Sequence, residues 1–173
     1  LGMIAETPRN ASKRDALAKN GEGLAAIACR IGDAHAARDS LTELGIATSD
    51  VMDFSRPLPL PDGSTGTAAF AVTTFEPREV PRGEMFMCQH KTREMVWRPE
   101  LMTHANGAIA LAGVVVASAS PEETARGFAR LFAAGHVQGT NNAFAVTTGD
   151  KSALITCMTP AAVTEYYSGI DAA

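Results

Sequence analysis

The sequence predicts an α+β fold of two βαβββ modules, whose strands form a half-open, curled mixed sheet with the helices outside. One observation is a six-residue segment, Ala-Phe-Ala-Val-Thr-Thr, that occurs at residues 69–74 and again at 143–148. A second is the matching surroundings: each copy follows a strand, a helix and a glycine, and precedes a strand with a central cysteine, Cys88 or Cys157. A third is that one helix covers only one face of each sheet, so paired modules leave the other faces to form a pocket.

The first module begins with an apolar run at residues 24–30, which is typical of a strand. Asp33 predicts the start of a helix, because aspartate is a favoured N-cap residue. Gly45 predicts its end, because glycine is favoured immediately after a helix.

The second half of this module is predicted by proline positions and by β-forming residues. Alternate prolines between residues 53 and 66 exclude a central strand there, and Pro61-Asp62-Gly63 predicts a turn. Strands are predicted at residues 67–75 and 84–90, which are rich in β-branched, aromatic and other apolar residues.

The second module repeats this order with shorter connections. An apolar strand is predicted at residues 108–118, and Ser120-Pro121 followed by two glutamates predicts a helix that ends at Gly135. Strands are predicted at 142–148 and 152–158, joined by a hairpin turn. The residues expected on the buried face of the helix are Ala125, Phe128, Ala129 and Phe132.

The chain ahead of these modules is expected to belong to another module. Thr7-Pro8 ends an apolar segment in the way that Thr159-Pro160 ends the last predicted strand. We therefore expect a further βαβββ module to precede Leu1. The predicted division is residues 1–22 as the tail of that module and a linker, 23–90 as the first complete module, 91–107 as a linker, and 108–173 as the second module and C-terminal tail.

Composition excludes several classes of protein. The 173 residues include 15 Lys and Arg against 19 Asp and Glu, and the net charge of -4 does not favour nucleic-acid binding. The longest apolar run is too short to span a bilayer, so no membrane partner is predicted. Three cysteines without a Cys-x-x-Cys pair do not indicate a disulfide framework or a zinc knuckle. These features predict a cytoplasmic protein.

Short motifs then connect the chain to a known family. They are Ser55-Arg56-Pro57, Phe86-Met87-Cys88-Gln89-His90, Val96-Trp97-Arg98-Pro99-Glu100 and His104-Ala105-Asn106-Gly107. In these motifs, and over essentially its whole length, the chain resembles the glyoxalase-like domain proteins of the vicinal-oxygen-chelate superfamily. That superfamily includes glyoxalase I, bleomycin-resistance proteins and extradiol dioxygenases. The resemblance is specific for the family but not for one reaction.

The resemblance implies a divalent metal held by His and Glu side chains from paired modules. The positions where the superfamily places these ligands are here Gly113 or Val114 and about Thr156, and the opening strand carries Gly2. We therefore predict no well-formed metal site in this chain. The remaining metal candidates are Gln89, His90 and Glu6.

Four residues are the candidates for binding a ligand: Gln89, His90, Arg98 and His104. Gln89 and His90 end a strand, and a neutral imidazole there can act as a base or a ligand. Arg98 can hold a carboxylate or phosphate with its guanidinium fork. The alternatives are structural, with His90 fixing the following loop and Arg98 tied to backbone carbonyls. No catalytic residue is predicted.

Three classes of function stay open on the sequence. The first is a metal-dependent lyase, isomerase or dioxygenase that acts on a small molecule in a cavity between the modules. The second is a non-catalytic protein that binds a small molecule in the same cavity, as bleomycin-resistance proteins do. The third is a structural module whose groove is filled by another chain, since an unpaired strand edge invites pairing. A small-molecule ligand and a homodimer are the expected partners.

Overall fold

The computed structural model describes residues 10–21, 23–170 and 172. The predicted strand end at Thr7-Pro8 and the metal candidate Glu6 lie outside the described residues. The helices are α1 (Ala11–Asn20), α2 (Ala34–Glu43), α3 (Arg93–Val96), α4 (Pro121–Ala129) and α5 (Pro160–Tyr166). The strands are β1 (Ala26–Ile31), β2 (Met52–Pro59), β3 (Thr65–Thr74), β4 (Glu84–His90), β5 (Gly113–Ala117), β6 (His136–Thr140), β7 (Ala143–Thr147) and β8 (Leu154–Met158). No helix in the described ranges is long and apolar enough to cross a bilayer.

The two modules have the same sheet topology. The strand order is β1-β4-β3-β2 in the first sheet and β5-β8-β7-β6 in the second. The edge strands β1 and β5 run parallel to β4 and β8, and the other neighbours are antiparallel. The α+β fold class with paired βαβββ modules is therefore confirmed. In the described part of the chain the strands form two separate four-stranded sheets, and neither sheet is closed.

The ends of α2 follow the predicted capping residues. The Asp33 carboxylate accepts a hydrogen bond from the backbone N–H of Ala36 at 2.9 Å. Gly45 follows the helix with a φ of 70°, a left-handed conformation that glycine adopts at little cost. Both local signals therefore predicted the geometry correctly.

The repeated segment occupies equivalent strands, β3 and β7, but opposite faces of the two sheets. Phe70 lies on the face of the first sheet turned away from α2, in a cluster with Cys88. Phe144 packs on the helix side of the second sheet, in the same cluster as Phe128 of α4 and Cys157. Because side chains alternate along a strand, the two copies are out of phase by one residue. The two central cysteines lie in equivalent strands, β4 and β8, but on opposite faces of their sheets.

Two strands were not predicted, and both lie at sheet edges. Strand β2 contains Pro57 and Pro59 and, among the described strands, pairs with β3 alone. An edge strand tolerates proline because one of its sides carries no ladder hydrogen bonds. The prolines thus excluded a central strand correctly while concealing an edge strand. Strand β6 is short and polar, so it lacks the apolar pattern by which strands are recognised.

Three boundaries in the second half of the chain differ from the prediction. Strand β5 begins at Gly113, not at residue 108, because its partner β8 begins opposite Gly113, at Leu154. The segment 91–107, expected to be irregular, contains α3 and a 3-10 turn at Pro99–Leu101. Helix α4 ends at Ala129, several residues before Gly135, which was predicted to end it. Thr159 follows the last residue of β8 as predicted, and its side chain also caps α5 by accepting a hydrogen bond from Ala162 N–H at 3.2 Å.

One hydrophobic core joins the two modules. Leu41 of α2 and Met85 of β4 belong to the same buried cluster as Phe128 of α4 and Ile155 of β8. Outside the core, Arg130 follows α4, and its guanidinium donates a hydrogen bond to the backbone carbonyl oxygen of Glu79 at 3.1 Å. The modules therefore share packing and polar contacts.

Candidate functional site

The first sheet presents two chemically different faces, set by alternation along β4. Met85 and Met87 point toward α2 and the shared core. Phe86 and Cys88 point to the other side, where a second, smaller hydrophobic cluster lies. His90 follows in phase with these two residues, which places it on the face away from α2.

A row of rings crosses this second face at one level of the sheet. Phe54, Phe70 and His90 are direct cross-strand neighbours on β2, β3 and β4. The Phe54 and Phe70 rings are stacked with centroids 5.1 Å apart, and His90 meets Phe70 edge-on, also at 5.1 Å. Trp97, which follows α3, lies 6.4 Å from His90. We call Phe54, Phe70, His90 and Trp97 the aromatic face.

Arginine side chains surround the aromatic face. The Arg56 guanidinium lies 5.6 Å from the centre of the Phe70 ring, and that of Arg93 lies 5.1 Å from the centre of Trp97. Arg30 lies opposite Cys88 on β1, which places it on the same side of the sheet. Among the ion pairs of the described residues none involves these three arginines. Their positive charge is therefore uncompensated on an aromatic surface.

His90 lies at the centre of this arrangement. Its Nδ1 atom is buried and has no hydrogen-bond partner within the described residues. Burial, and then the positive charges of Arg93 and Arg30, lower the pKa of His90 below its usual value. The imidazole is thus neutral at pH 7, with unused hydrogen-bonding capacity beside cationic groups.

Gln89 lies on the opposite face from His90. Its side-chain oxygen accepts a hydrogen bond from the backbone N–H of Ala34 at 3.1 Å, at the start of α2. This contact satisfies one of the helix N–H groups that have no partner within the helix. The structure therefore does not bring Gln89 and His90 together.

Arg98 is tied to the backbone beside the first sheet. Its guanidinium donates a hydrogen bond to the carbonyl oxygen of Pro59 at 3.2 Å, and its Nε lies 3.3 Å from a Glu100 carboxylate oxygen. The side chain is only 16% exposed. This geometry anchors the end of β2 to the linker.

His104 lies in an exposed turn. Its carbonyl oxygen accepts a hydrogen bond from Gly107 N–H at 2.9 Å, and the Asn106 side chain accepts one from Ala108 N–H at 3.1 Å. Within the described residues, no ring or cation–π contact joins the His104 side chain to the aromatic face. Of the four predicted ligand residues, His90 alone is on that face.

The described residues do not fit a divalent metal. They contain no group of three or more His, Cys, Asp or Glu side chains arranged to hold one. The surroundings of His90 are cationic, which opposes binding of a cation. Gly113 and Thr156 carry no strong metal donors, and Gln89 is engaged with α2.

A cavity of about 600 Å³ lies where the two modules meet. It is lined from the first module by β1 and α2, and from the second by β5, β8 and the loop after α4. None of Gln89, His90, Arg98 and His104 lines it within the described chain. The expected cavity and the expected site residues are therefore in different places.

Sequence reasoning missed several parts of the aromatic face. The sequence offers Arg56 only as part of a family motif and as an ordinary surface arginine, and Phe54 has no predicted role, because β2 was not predicted as a strand. The positions of Phe54, Arg56 and Leu58 at every second residue are nevertheless typical of a strand. Arg30 and Arg93 join the face through strand order and a helical turn, which no local pattern encodes.

Comparison with known proteins places the chain in a family. The family model described as a glyoxalase-like domain matches residues 3–132. A crystal structure of a hypothetical protein from Staphylococcus aureus is similar, with a TM-score of 0.66 at 12% identity, over 83% of this chain. The chain spans 56% of the length of that protein, and at this identity the likeness shows the fold alone. No curated protein matches the chain.

Proposed function

The chain belongs to the glyoxalase-like domain family, and from this premise we propose that it binds a small planar anion, such as an aromatic carboxylate, on the aromatic face. The single observation that carries the proposal is the set of uncompensated arginines over aromatic rings around His90. A guanidinium pairs with a carboxylate through two parallel hydrogen bonds, and it holds that geometry more firmly than an ammonium group does.

The ring row supplies the apolar half of the recognition. Trp97 is 44% exposed and Phe54 is 36% exposed, so both offer ring surface to a ligand. Stacked or edge-on aromatic pairs contribute about 0.5–1.5 kcal/mol beyond the area that they bury. A flat aromatic anion uses both the rings and the arginines, whereas an aliphatic anion uses only the arginines.

The proposal is for binding without chemistry. A metal-dependent lyase, isomerase or dioxygenase needs a set of oxygen and nitrogen donors that converge, and the described residues do not supply one. The non-catalytic alternative needs only the surface already present. A cytoplasmic location is part of the proposal, supported by the three free cysteines.

Tryptophan fluorescence tests the proposal directly, because Trp97 is the single tryptophan of the chain. We expect 2-naphthoate to quench it saturably, and cyclohexanecarboxylate to bind at least fivefold more weakly. Arg56→Gln and Arg93→Gln should each weaken naphthoate binding at least fivefold. The matched control is Arg126→Gln, an exposed arginine of α4 remote from this face, which should leave affinity within twofold.

The pH dependence gives a second readout. His90 gains a proton as the pH falls below the ordinary histidine pKa, and the added positive charge should tighten anion binding. His90→Asn should remove this increase. Absence of saturable quenching, or an equal loss of affinity in Arg126→Gln, would contradict the assignment of the site.

A further inference from the structure

The cavity between the modules is a separate site with a different chemistry. Most of its lining is apolar, and the largest side chains come from both modules: Ile27, Ile31, Leu41, Leu131, Phe132 and Ile155. A volume of about 600 Å³ lies within the range of 300–1,000 Å³ that is common for small-molecule sites. Its size and lining suit an apolar molecule, which would remove this surface from water.

The charged groups of the lining are suited to an anion. Among the described residues that line the cavity, the charged ones are Arg30 and Lys151, and none is an Asp or a Glu. Lys151, in the turn between β7 and β8, takes part in no ion pair of the described residues. A bound carboxylate would therefore meet positive charge without competition from an acidic side chain.

The edge of β1 adds backbone donors. Five consecutive residues, 27–31, line the cavity. Successive side chains of a strand point to opposite faces of the sheet, so a cavity on one face would contact only every second residue. A cavity lined by five consecutive residues therefore lies along the backbone edge of the strand. Strand β1 is at the edge of its sheet and pairs with β4 alone among the described strands. Alternate N–H groups of this edge are thus free to donate to an acceptor in the cavity.

We propose that the cavity between the modules binds a single-chain apolar carboxylate, with its chain among the Ile, Leu and Phe side chains and its carboxylate near Lys151. Arg30 borders both this cavity and the aromatic face, which carries the proposed binding of planar anions, but the rings of that face, Arg56 and Arg93 do not line the cavity. Cationic amphiphiles are disfavoured as ligands, because none of the described residues that line the cavity is acidic and able to pair with a positive charge.

Cys29 provides a reporter inside the site. It lines the cavity and is half-buried, whereas Cys88 and Cys157 are buried. Burial raises the pKa of the Cys29 thiol to about 11, so its alkylation is slow and sensitive to access. Dodecanoate should slow alkylation of Cys29 by N-ethylmaleimide at least fivefold, measured on the Cys29 peptide by mass spectrometry. Unchanged alkylation at saturating dodecanoate would overturn the proposal.

A matched pair of variants on α2 tests the position of the chain. Ala37 lines the cavity and its neighbour Ala36 is exposed and does not. By titration calorimetry, Ala37→Phe should weaken dodecanoate binding at least tenfold, and Ala36→Phe should change it less than twofold. Ser40→Phe, which fills the cavity from a more exposed position, repeats the test if Ala37→Phe does not fold.

A change of headgroup tests the role of Lys151. Its φ of 54° is left-handed, and asparagine tolerates that conformation, so Lys151→Asn removes the charge and keeps the turn. The variant should weaken dodecanoate binding about fivefold and leave dodecanol binding within twofold. Arg93→Gln should leave dodecanoate binding unchanged, which separates this site from the aromatic face. Equal binding of dodecanoate and dodecylamine would refute the headgroup assignment.

Discussion

Replacement of Phe128 by alanine tests whether the two modules unfold as one unit. Phe128 is fully buried on α4, in the second module. Its cluster also contains Leu41, Met85 and Met87 from the first module. A loss of packing at Phe128 should therefore weaken strands in both modules, because the core is continuous across their junction.

The expected effect is large. Truncation of a buried phenylalanine to alanine costs about 3–5 kcal/mol, because apolar transfer energy is lost and a cavity is left. For a chain of this length each kcal/mol lowers the melting temperature by about 2–4 °C, so a fall of about 6–20 °C is expected. If this variant does not fold, Phe128→Leu should show the same pattern at a smaller cost, because it removes fewer buried atoms than the change to alanine does.

Hydrogen exchange is the assay, with protection measured separately for amides of β4 and of β8. Both strands should lose protection by the same free energy, and urea unfolding should show a single transition. The control is Arg126→Ala on the exposed side of α4, where loss of an ion pair with Glu122 should cost no more than about 0.5 kcal/mol. Loss of protection in β8 with β4 unchanged would refute the shared core as the unit of folding.

Two further predictions concern polar anchors. Arg98→Lys should lower the melting temperature by about 2–4 °C, because loss of a partly exposed charged hydrogen bond costs about 1 kcal/mol. The same variant should leave naphthoate affinity unchanged. An unchanged melting temperature with weaker naphthoate binding would place Arg98 in a ligand site. The hydrogen bond from Arg130, and then that from Ala47 N–H, holds the pKa of the Glu79 carboxyl below its usual range. The ionised carboxylate therefore stabilises the folded chain at pH values above the pKa of the unfolded state, and this contribution is lost as the pH falls through the lower pKa of the folded state. Glu79→Gln should therefore be less stable than the native chain in urea at pH 7, with the difference shrinking below pH 4; a pH-independent difference would contradict the ionic role.

The sequence predicted the elements that local chemistry determines. The two ends of α2 were predicted from Asp33 and Gly45, because N-capping and a left-handed φ each depend on a single residue. The edge strands β2 and β6 were not predicted, because each is defined by pairing with a strand elsewhere in the chain and not by its own residues. Strand β2, for example, contains Pro57 and Pro59 but pairs with β3. The opposite error occurs at residues 108–112, where apolar composition predicts a strand but none of the described strands lies opposite as a partner, so that β5 begins at Gly113.

The candidate site was less predictable than the fold. His90 was chosen from its motif and lies on the aromatic face, but the same face depends on the register of three strands, which brings Phe54 and Phe70 beside it. The pairing of Gln89 with His90 as neighbours in sequence was misleading, because adjacent residues of a strand point to opposite faces. The direction of Arg98 depends on where the linker crosses β2, and no local pattern encodes that.

The repeated segment predicts the correct fold although its two copies do not occupy equivalent positions residue by residue. The two copies lie in β3 and β7, yet Phe70 faces away from its helix and Phe144 faces its helix. Alternating small and large residues are typical of any half-buried strand, so the match predicts two strands but not their phase. The strands that follow the repeat, β4 and β8, show the same one-residue shift. By the repeat, Gln89 corresponds to Thr156. Gln89 lies on the helix side of the first sheet, but in the second sheet it is Cys157 that lies on the helix side. Site positions therefore cannot be transferred between the modules by the repeat, and the aromatic face is formed by the first module together with Trp97 of the linker that follows it.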